Sequence, residues 1–340
     1  MSIKILGDKL PNIPWEDKPA GCEDAMWRFS GNPIMGRHKT ARSSRIYNSG
    51  CMPYGDRFVG IFRSDHKDGN HYIHLGWSDD AINWDIDDSV INWVDEDGQP
   101  YQPAYAYDPR LLKIEDDYYI IFCTDFGNGP TIGLGKTRDF KTFVRMPNPF
   151  LICNRNGVLF PRKIGGYYQM MSRPSDFGHT PFGDIYLSKS KDMRMWGYHT
   201  KMMSKGGSPM QNLKIGAGTV PIETDKGWLM FYHGVQLTCN GYIYSIAAAL
   251  LDIDNPGIVL RRSKDYLITP EMDYETVGMV ANVCFPCGSL ADAETGRIAV
   301  YYGAADTHIA VAFTTAGEVY DWLMREDNYA CCYGDDIVIR

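Results

Sequence analysis

The sequence predicts an all-β fold, a five-bladed β-propeller with a functional site in its central channel and extensions at both termini. Three observations lead there. A turn followed by a strand of aromatic and β-branched residues, ending in a polar group, recurs five times. The copies are spaced at about 60 residues, which suits one four-stranded blade each. Helical periodicity is nearly absent.

The five units run Arg57 to Asp65, Asp117 to Asp125, Gly166 to Arg173, Gly227 to Gly234 and Arg297 to Gly303. Aligned on Phe62, Phe122, Met171, Tyr232 and Tyr302, they lie about 60, 49, 61 and 70 residues apart. In the first three blades a further strand follows, then a polar turn, then an aromatic. These turns are Ser78-Asp79-Asp80 before Trp84, Thr137-Arg138-Asp139 before Phe143, and Ser190-Lys191-Asp192 before Trp196. Such spacing suits an outer hairpin closed by a hydrophobic plug. The propeller is expected over residues 31–325, between an N-terminal arm (1–30) and a C-terminal tail (326–340). The arm carries Pro11, Pro14 and Pro19, with Trp15 and Trp27 as anchors on the domain. Only Val319 to Arg325 has a short amphipathic helical pattern. A doubly wound α/β fold would need longer helices between its strands, and no Rossmann or P-loop glycine pattern is present.

Bulk properties narrow the function. The chain has 340 residues, with 44% hydrophobic and 22% charged, an ordinary globular composition long enough for one large core. A net charge of −8 argues against nucleic acid or an anionic membrane as partner. Nine cysteines without framework spacing are expected as free thiols in a reducing cytoplasm. The pair Cys284-Phe285-Pro286-Cys287 reads as two core thiols flanking a proline turn. There is no apolar leader pattern and no membrane-length apolar run.

In a propeller the polar ends of the repeats converge on the channel. Those ends supply Arg63 and Asp65, Asp125, Arg173, His233 and Asp306, while the preceding turns add Asn48, Ser49, Asp108, Arg110 and Lys214. Carboxylates and amides fall in blades one, two and five, and suit vicinal sugar hydroxyls. Cations fall mainly in blades three and four, and suit an oxyanion such as phosphate. A glycosidase ordinarily needs two carboxylates. An inverting phosphorolytic enzyme needs only the acid, because phosphate is itself an anionic nucleophile. One privileged carboxylate, Asp108 in Tyr107-Asp108-Pro109-Arg110, beside a cationic pocket fits that chemistry.

Several motifs together carry a family resemblance: Trp27-Arg28, Asn32-Pro33, Asn48-Ser49, Phe62-Arg63-Ser64-Asp65, Tyr107-Asp108-Pro109-Arg110, Leu159-Phe160-Pro161, Ser172-Arg173-Pro174, Lys214-Ile215-Gly216, Tyr232-His233-Gly234 and Tyr301-Tyr302-Gly303-Ala304-Ala305-Asp306. On these the chain, over about residues 14–325, resembles glycoside hydrolase family 130, the β-mannoside phosphorylases, most like the 1,4-β-mannooligosaccharide phosphorylases. The resemblance implies a five-bladed propeller, which agrees with the repeat count. It implies Asp108 as general acid, acting through the 3-hydroxyl of the bound mannose. It implies Arg155, Arg173, Lys214 and His233 as phosphate-binding, and Asn48, Ser49, Arg63, Asp65, Tyr107 and Asp306 as mannosyl-binding. The implied reaction is inverting phosphorolysis to α-mannose 1-phosphate, with phosphate as co-substrate and neither metal nor organic cofactor. Arg110 is expected to hold the loop or orient Asp108. A homo-oligomer is expected. The alternatives are a mannosyl-glucose or mannosyl-N-acetylglucosamine phosphorylase, a hydrolase of the same family, and a non-catalytic glycan-binding propeller.

Overall fold

The structure is a computed structural model that describes residues 3–125, 129–175, 183–239 and 241–330. Its strands form five separate sheets, antiparallel except where the edge strand Trp93–Val94 runs parallel to Phe143–Met146 in the second, and these are the five blades. The innermost strands are Ser43–Tyr54, Tyr107–Ile114, Asn154–Leu159, Lys214–Ala217 and Cys284–Ala291. Each of the five repeat units forms the second strand of its blade: Arg57–His66, Asp117–Asp125, Tyr168–Pro174, Gly227–Thr238 and Arg297–Ala304. These second strands are buried on both faces, which is why they read as near-continuous apolar runs rather than alternating ones.

The core lies between blades rather than within them. Val59 and Ile61 of blade one pack with Leu111, Ile120 and Phe122 of blade two. Phe58 and Phe62 pack with Tyr301, Val311 and Phe313 of blade five, which closes the ring. Leu229 and Phe231 of blade four meet Ile298, Val300 and Tyr302 of blade five. Each such side chain, at 5% exposure or less, contributes ~1.5–3 kcal/mol by leaving water.

The polar turns work as the sequence suggested. Ser78 Oγ accepts the amide of Ala81 (2.8 Å), and Asp80 Oδ1 accepts those of Ile82 (2.9 Å) and Asn83 (2.7 Å). Thr137 with Asp139, and Ser190 with Asp192, repeat the pattern. In each turn the third residue after the hydroxyl adopts positive φ: Ala81, Phe140 and Met193. The C-terminal helix runs Ala316–Met324, capped by Thr315, whose side chain accepts the Glu318 amide at 3.1 Å. Among the described residues no helix is long and apolar enough to cross a membrane.

Two expectations change. Trp27–Arg28, in the segment expected as an arm, is the outer strand of blade five, with Trp27 opposite Phe313. The propeller is thereby closed by the beginning of the chain pairing with its end. The rest of the arm is anchored as expected, with Trp15 edge-on to Trp27 at 5.3 Å and close to Phe313 at 5.6 Å. Second, Pro286 sits in a bulge of the innermost strand of blade five rather than in a turn. Cys284 and Cys287 flank it as buried free thiols, their pKa raised by burial. Cys331 and Cys332 lie outside the described residues.

Arg28 also ties the closure to the loop before blade five. Its guanidinium pairs with both oxygens of Glu275 (2.8 and 3.0 Å), whose side chain is fully buried. Tyr302 donates to the same carboxylate at 2.7 Å. Arg28→Ala strands that charge, and the expected loss is about 3 kcal/mol of stability, read as a lower denaturation midpoint. An unchanged midpoint would show the pair to be dispensable.

Candidate active site

The innermost strands of blades one, two and three share an irregularity. Each carries a bulge, at Tyr47/Gly50, Tyr107/Arg110 and Arg155/Val158. In each, a non-glycine residue takes positive φ: Asn48 (45°), Asp108 (51°) and Asn156 (54°). A bulge re-aims side chains that a regular strand would send to a blade face, and these three line a single cavity of about 610 Å³. Left-handed φ is costly for residues other than glycine and persists only where the surroundings impose it. The expectation of turns at Asn48 and Asp108 is therefore corrected: both sit inside strands, at bulges. Gly303 faces the first bulge because a Cβ there would come 1.7 Å from Asn48 Oδ1.

Asp108 is 8% exposed. Its Oδ1 accepts from Arg63 Nη1 (2.7 Å) and Asn48 Nδ2 (2.9 Å). Burial alone would raise its pKa, but the charges of Arg63 and Arg110, with those hydrogen bonds, hold it below the usual carboxylate value. Arg63 is fixed between two phenol rings, 4.2 Å from the Tyr47 centroid and 5.2 Å from that of Tyr107. Arg110 does not reach the cavity lining. It is fully buried and donates to the backbone carbonyls of Asp108 (2.7 Å), Gly218 (3.0 Å) and Ala217 (3.3 Å). It thus holds the strained Asp108 backbone against blade four.

Asp306 enters the cavity from the turn after Arg297–Ala304, where Ala305 and Asp306 both have positive φ. Burial pushes its pKa up to about 6, against the pull of Arg63 and with the help of Asp108 and Asp65. Of the three carboxyls around Arg63, Asp65 and Asp108 are held low, and Asp306 therefore takes up a proton first.

Blades three and four supply the cations. Arg155 and Arg173 are cross-strand partners, and both line the cavity with Lys214. Burial, then the charges of Arg155 and Arg110, pull Arg173 down to about 10. Burial, then Arg173 and Arg155, pull Lys214 down to about 8. The Lys214 ammonium lies 5.2 Å from the Tyr242 ring and 5.3 Å from that of Tyr244. Cations that depress one another need an anion.

Of the residues singled out from the sequence, Asn48, Arg63, Tyr107, Asp108, Asp125, Arg155, Arg173, Lys214 and Asp306 line this one cavity. Three others stand behind it. Ser49 donates to the Tyr47 carbonyl at 3.0 Å. His233 is fully buried, and its Nε2 accepts from Arg173 Nη1 at 3.0 Å. Burial and the neighbouring Arg173 hold it well below its usual pKa, so it is a neutral support for Arg173. Asp65 is 2% exposed and its carboxylate is filled by Arg45, Tyr47, Arg63 and His71. Sequence reasoning missed His71, Asn156 and Tyr244. Asn156 had a signal, since Tyr47-Asn48, Tyr107-Asp108 and Arg155-Asn156 occupy the same bulge in successive blades.

A cavity with carboxylates and amides on one side and converging cations on the other is built for a polyol beside an oxyanion. The chain's relatives agree with that chemistry. The profile of glycoside hydrolase family 130, described as beta-1,4-mannooligosaccharide phosphorylase, matches residues 7–325. A beta-1,4-mannooligosaccharide phosphorylase of Ruminococcus albus is 50% identical over 328 residues, covering 94% of this chain and 97% of that protein. A 1,2-beta-oligomannan phosphorylase of a Thermoanaerobacter species is 32% identical over 300 residues, 84% of this chain and 95% of its own. Among solved structures, the beta-1,2-mannobiose phosphorylase of Listeria innocua, in complex with beta-1,2-mannobiose, superposes with a TM-score of 0.77 at 25% identity, covering 88% of this chain and 99% of that one. With the profile matched over nearly its whole length, the chain belongs to glycoside hydrolase family 130.

Proposed function

We propose that this protein is a phosphorylase of β-1,4-mannooligosaccharides. It transfers the non-reducing mannosyl unit to inorganic phosphate with inversion, releasing α-mannose 1-phosphate and a shortened chain. The observation that carries the reading is the partition of the cavity: Arg155, Arg173 and Lys214 face it from blades three and four, and Asn48, Asp108 and Asp306 from blades one, two and five. A neutral glycan needs no such cluster of cations, and hydrolysis by water needs no anion site. The choice of β-1,4 linkage rests on the 50% identical relative.

In this reading Asn48, Arg63, Tyr107 and Asp306 seat the mannosyl unit, with Ser49 and Asp65 shaping the wall behind. Phosphate lies on Arg155, Arg173 and Lys214 and attacks the anomeric carbon from the face opposite the leaving oxygen. Asp108 supplies the leaving group's proton, by way of the mannose 3-hydroxyl as the family resemblance implies. In the free protein Arg63 and Arg110 keep Asp108 ionised. Its acid form arises when phosphate brings negative charge into the same cavity, since a like charge nearby disfavours the carboxylate. The reading requires phosphate as co-substrate and no metal or organic cofactor. A cytoplasmic location fits the free thiols.

Incubation with mannobiose or mannotriose and phosphate is expected to yield α-mannose 1-phosphate. Release of free mannose at a rate indifferent to phosphate would assign hydrolysis instead. The Lys214 value gives a pH signature. Binding of phosphate favours the ammonium form, so as pH rises through about 8 the free protein loses that charge and KM for phosphate climbs. Lys214→Met is expected to have a high KM at every pH and to lack this limb. A wild-type profile flat between pH 7 and 9 would remove Lys214 from the phosphate site.

A further inference from the structure

We propose that His71 is a substrate-binding residue that contacts a sugar hydroxyl, and that Asp65 is the positioning residue which fixes its imidazole. The inference rests on the phosphorolytic reading above and adds a contact to its sugar side.

His71 begins the strand His71–Ser78, directly across the ladder from Asp65. Its Nδ1 lies 2.6 Å from Asp65 Oδ1. The carboxylate is ionised: burial opposes this, but His71, Arg63 and Tyr47 more than offset it and hold the pKa far below the usual range. A carboxylate can only accept, so Nδ1 carries the hydrogen and Nε2 is the free end of the ring. The same carboxylate accepts from Arg63 Nε (3.1 Å), from Tyr47 (2.8 Å) and from Arg45 (2.8 and 3.0 Å). No position on it remains for a ligand, so its specificity is expressed through His71.

The ring is held on its other sides as well. Tyr105 packs edge-on at 4.7 Å and Tyr107 lies at 5.7 Å. The His71 carbonyl accepts the Ala106 amide at 3.2 Å, tying the strand to the segment that leads into Asp108. His71 lines the cavity with a side chain 22% exposed, and because Nδ1 is spent on Asp65, Nε2 is the nitrogen available to a ligand.

The charge around it selects a hydroxyl over phosphate. Asp65, Asp108 and Asp306 surround Arg63 on this side of the cavity, whereas Arg155, Arg173 and Lys214 enter it from blades three and four. The carboxylates around the ring repel an oxyanion, whereas Nε2 can share a hydrogen bond with an alcohol, which both accepts and donates. The phenols beside it offer the flat apolar surface that a pyranose ring covers.

The test uses the full chain with separate kinetics for the two substrates. His71→Phe keeps the ring packing and removes Nε2, so KM for mannobiose is expected to rise roughly tenfold, with KM for phosphate within about twofold. His71→Asn retains a donor for Asp65 and a polar end, and is expected to fall between. In wild type labelled at histidine nitrogens, the His71 signal is expected in the Nδ1–H tautomer. Its Nε2 resonance should move on adding mannose or mannobiose and stay fixed on adding phosphate alone. Movement with mannose places the contact on the donor unit, and movement with mannobiose only places it on the acceptor. Unchanged KM values in His71→Phe, an equal rise for phosphate, or an Nε2 signal that ignores both sugars overturns the proposal. If His71→Phe fails to fold, the Asn variant and the wild-type spectra decide. If wild type shows no phosphorolysis the functional reading fails, while the sugar titration still reports on His71.

Discussion

Asp108→Asn is expected to lower kcat by about 10³-fold, within the span that positioned proton donors contribute. The amide is isosteric, and its oxygen can still accept from Arg63 and Asn48, so the bulge and the cavity should survive. What it cannot do is deliver a proton and regain it. Asp306→Asn is the necessary comparison, because Asp306 shares Arg63 with Asp108 and holds the higher pKa. It is expected to raise KM for the oligosaccharide while costing kcat much less. The measurement is initial rates of α-mannose 1-phosphate formation at saturating phosphate. An Asp108→Asn variant within tenfold of wild type, alongside a crippled Asp306→Asn, would transfer the acid role to Asp306.

Arg173→Ala is expected to raise KM for phosphate about 100-fold, since a charge-assisted hydrogen bond in a buried site is worth up to ~3 kcal/mol. The oligosaccharide KM, measured at fixed high phosphate, should move far less. The variant removes the group that His233 supports and leaves the His233 Nε2 without its donor. His233→Ala should therefore resemble a weaker Arg173→Ala: it releases the guanidinium from its place without removing its charge. A His233→Ala effect larger than that of Arg173→Ala would mean that His233 meets phosphate itself. Because binding an anion relieves the repulsion among Arg155, Arg173 and Lys214, phosphate should also raise the thermal midpoint of the wild type more than that of Arg173→Ala.

How much of this was legible without coordinates can be argued residue by residue. The second strands of the blades carry their address in sequence because both their faces are buried. Phe58 to Phe62 and Ile120 to Cys123 must be apolar wherever they lie in the ring. The hydroxyl–carboxylate turns at Ser78, Thr137 and Ser190 are local hydrogen-bonding devices, so they too are visible locally. The innermost strands were harder. Their bulges interrupt the period-two pattern, and Asn48 and Asp108 looked like turn residues because both tolerate positive φ. Asn156 was passed over although it occupies the same place in blade three.

The sequence by itself determined the number of blades and the division of the polar strand ends into a carboxylate-and-amide side and a mainly cationic side. Each of these is written in residue type and in the order of repeats. Only the tertiary structure decided which of those residues face the cavity and which stand behind it. Asp65 and His233 are polar, follow the same strand pattern as Arg63 and Arg173, and give no local sign of being filled or neutral. Their roles depend on partners that arrive from other strands: Arg45, Tyr47 and His71 around Asp65, and Arg173 against His233. The same is true of Arg110, which neighbours Asp108 in the chain yet spends its donors on backbone from blade four. Hydrogen-bond capacity is set by residue type, but its allocation is set by which groups the closed ring brings within 3 Å.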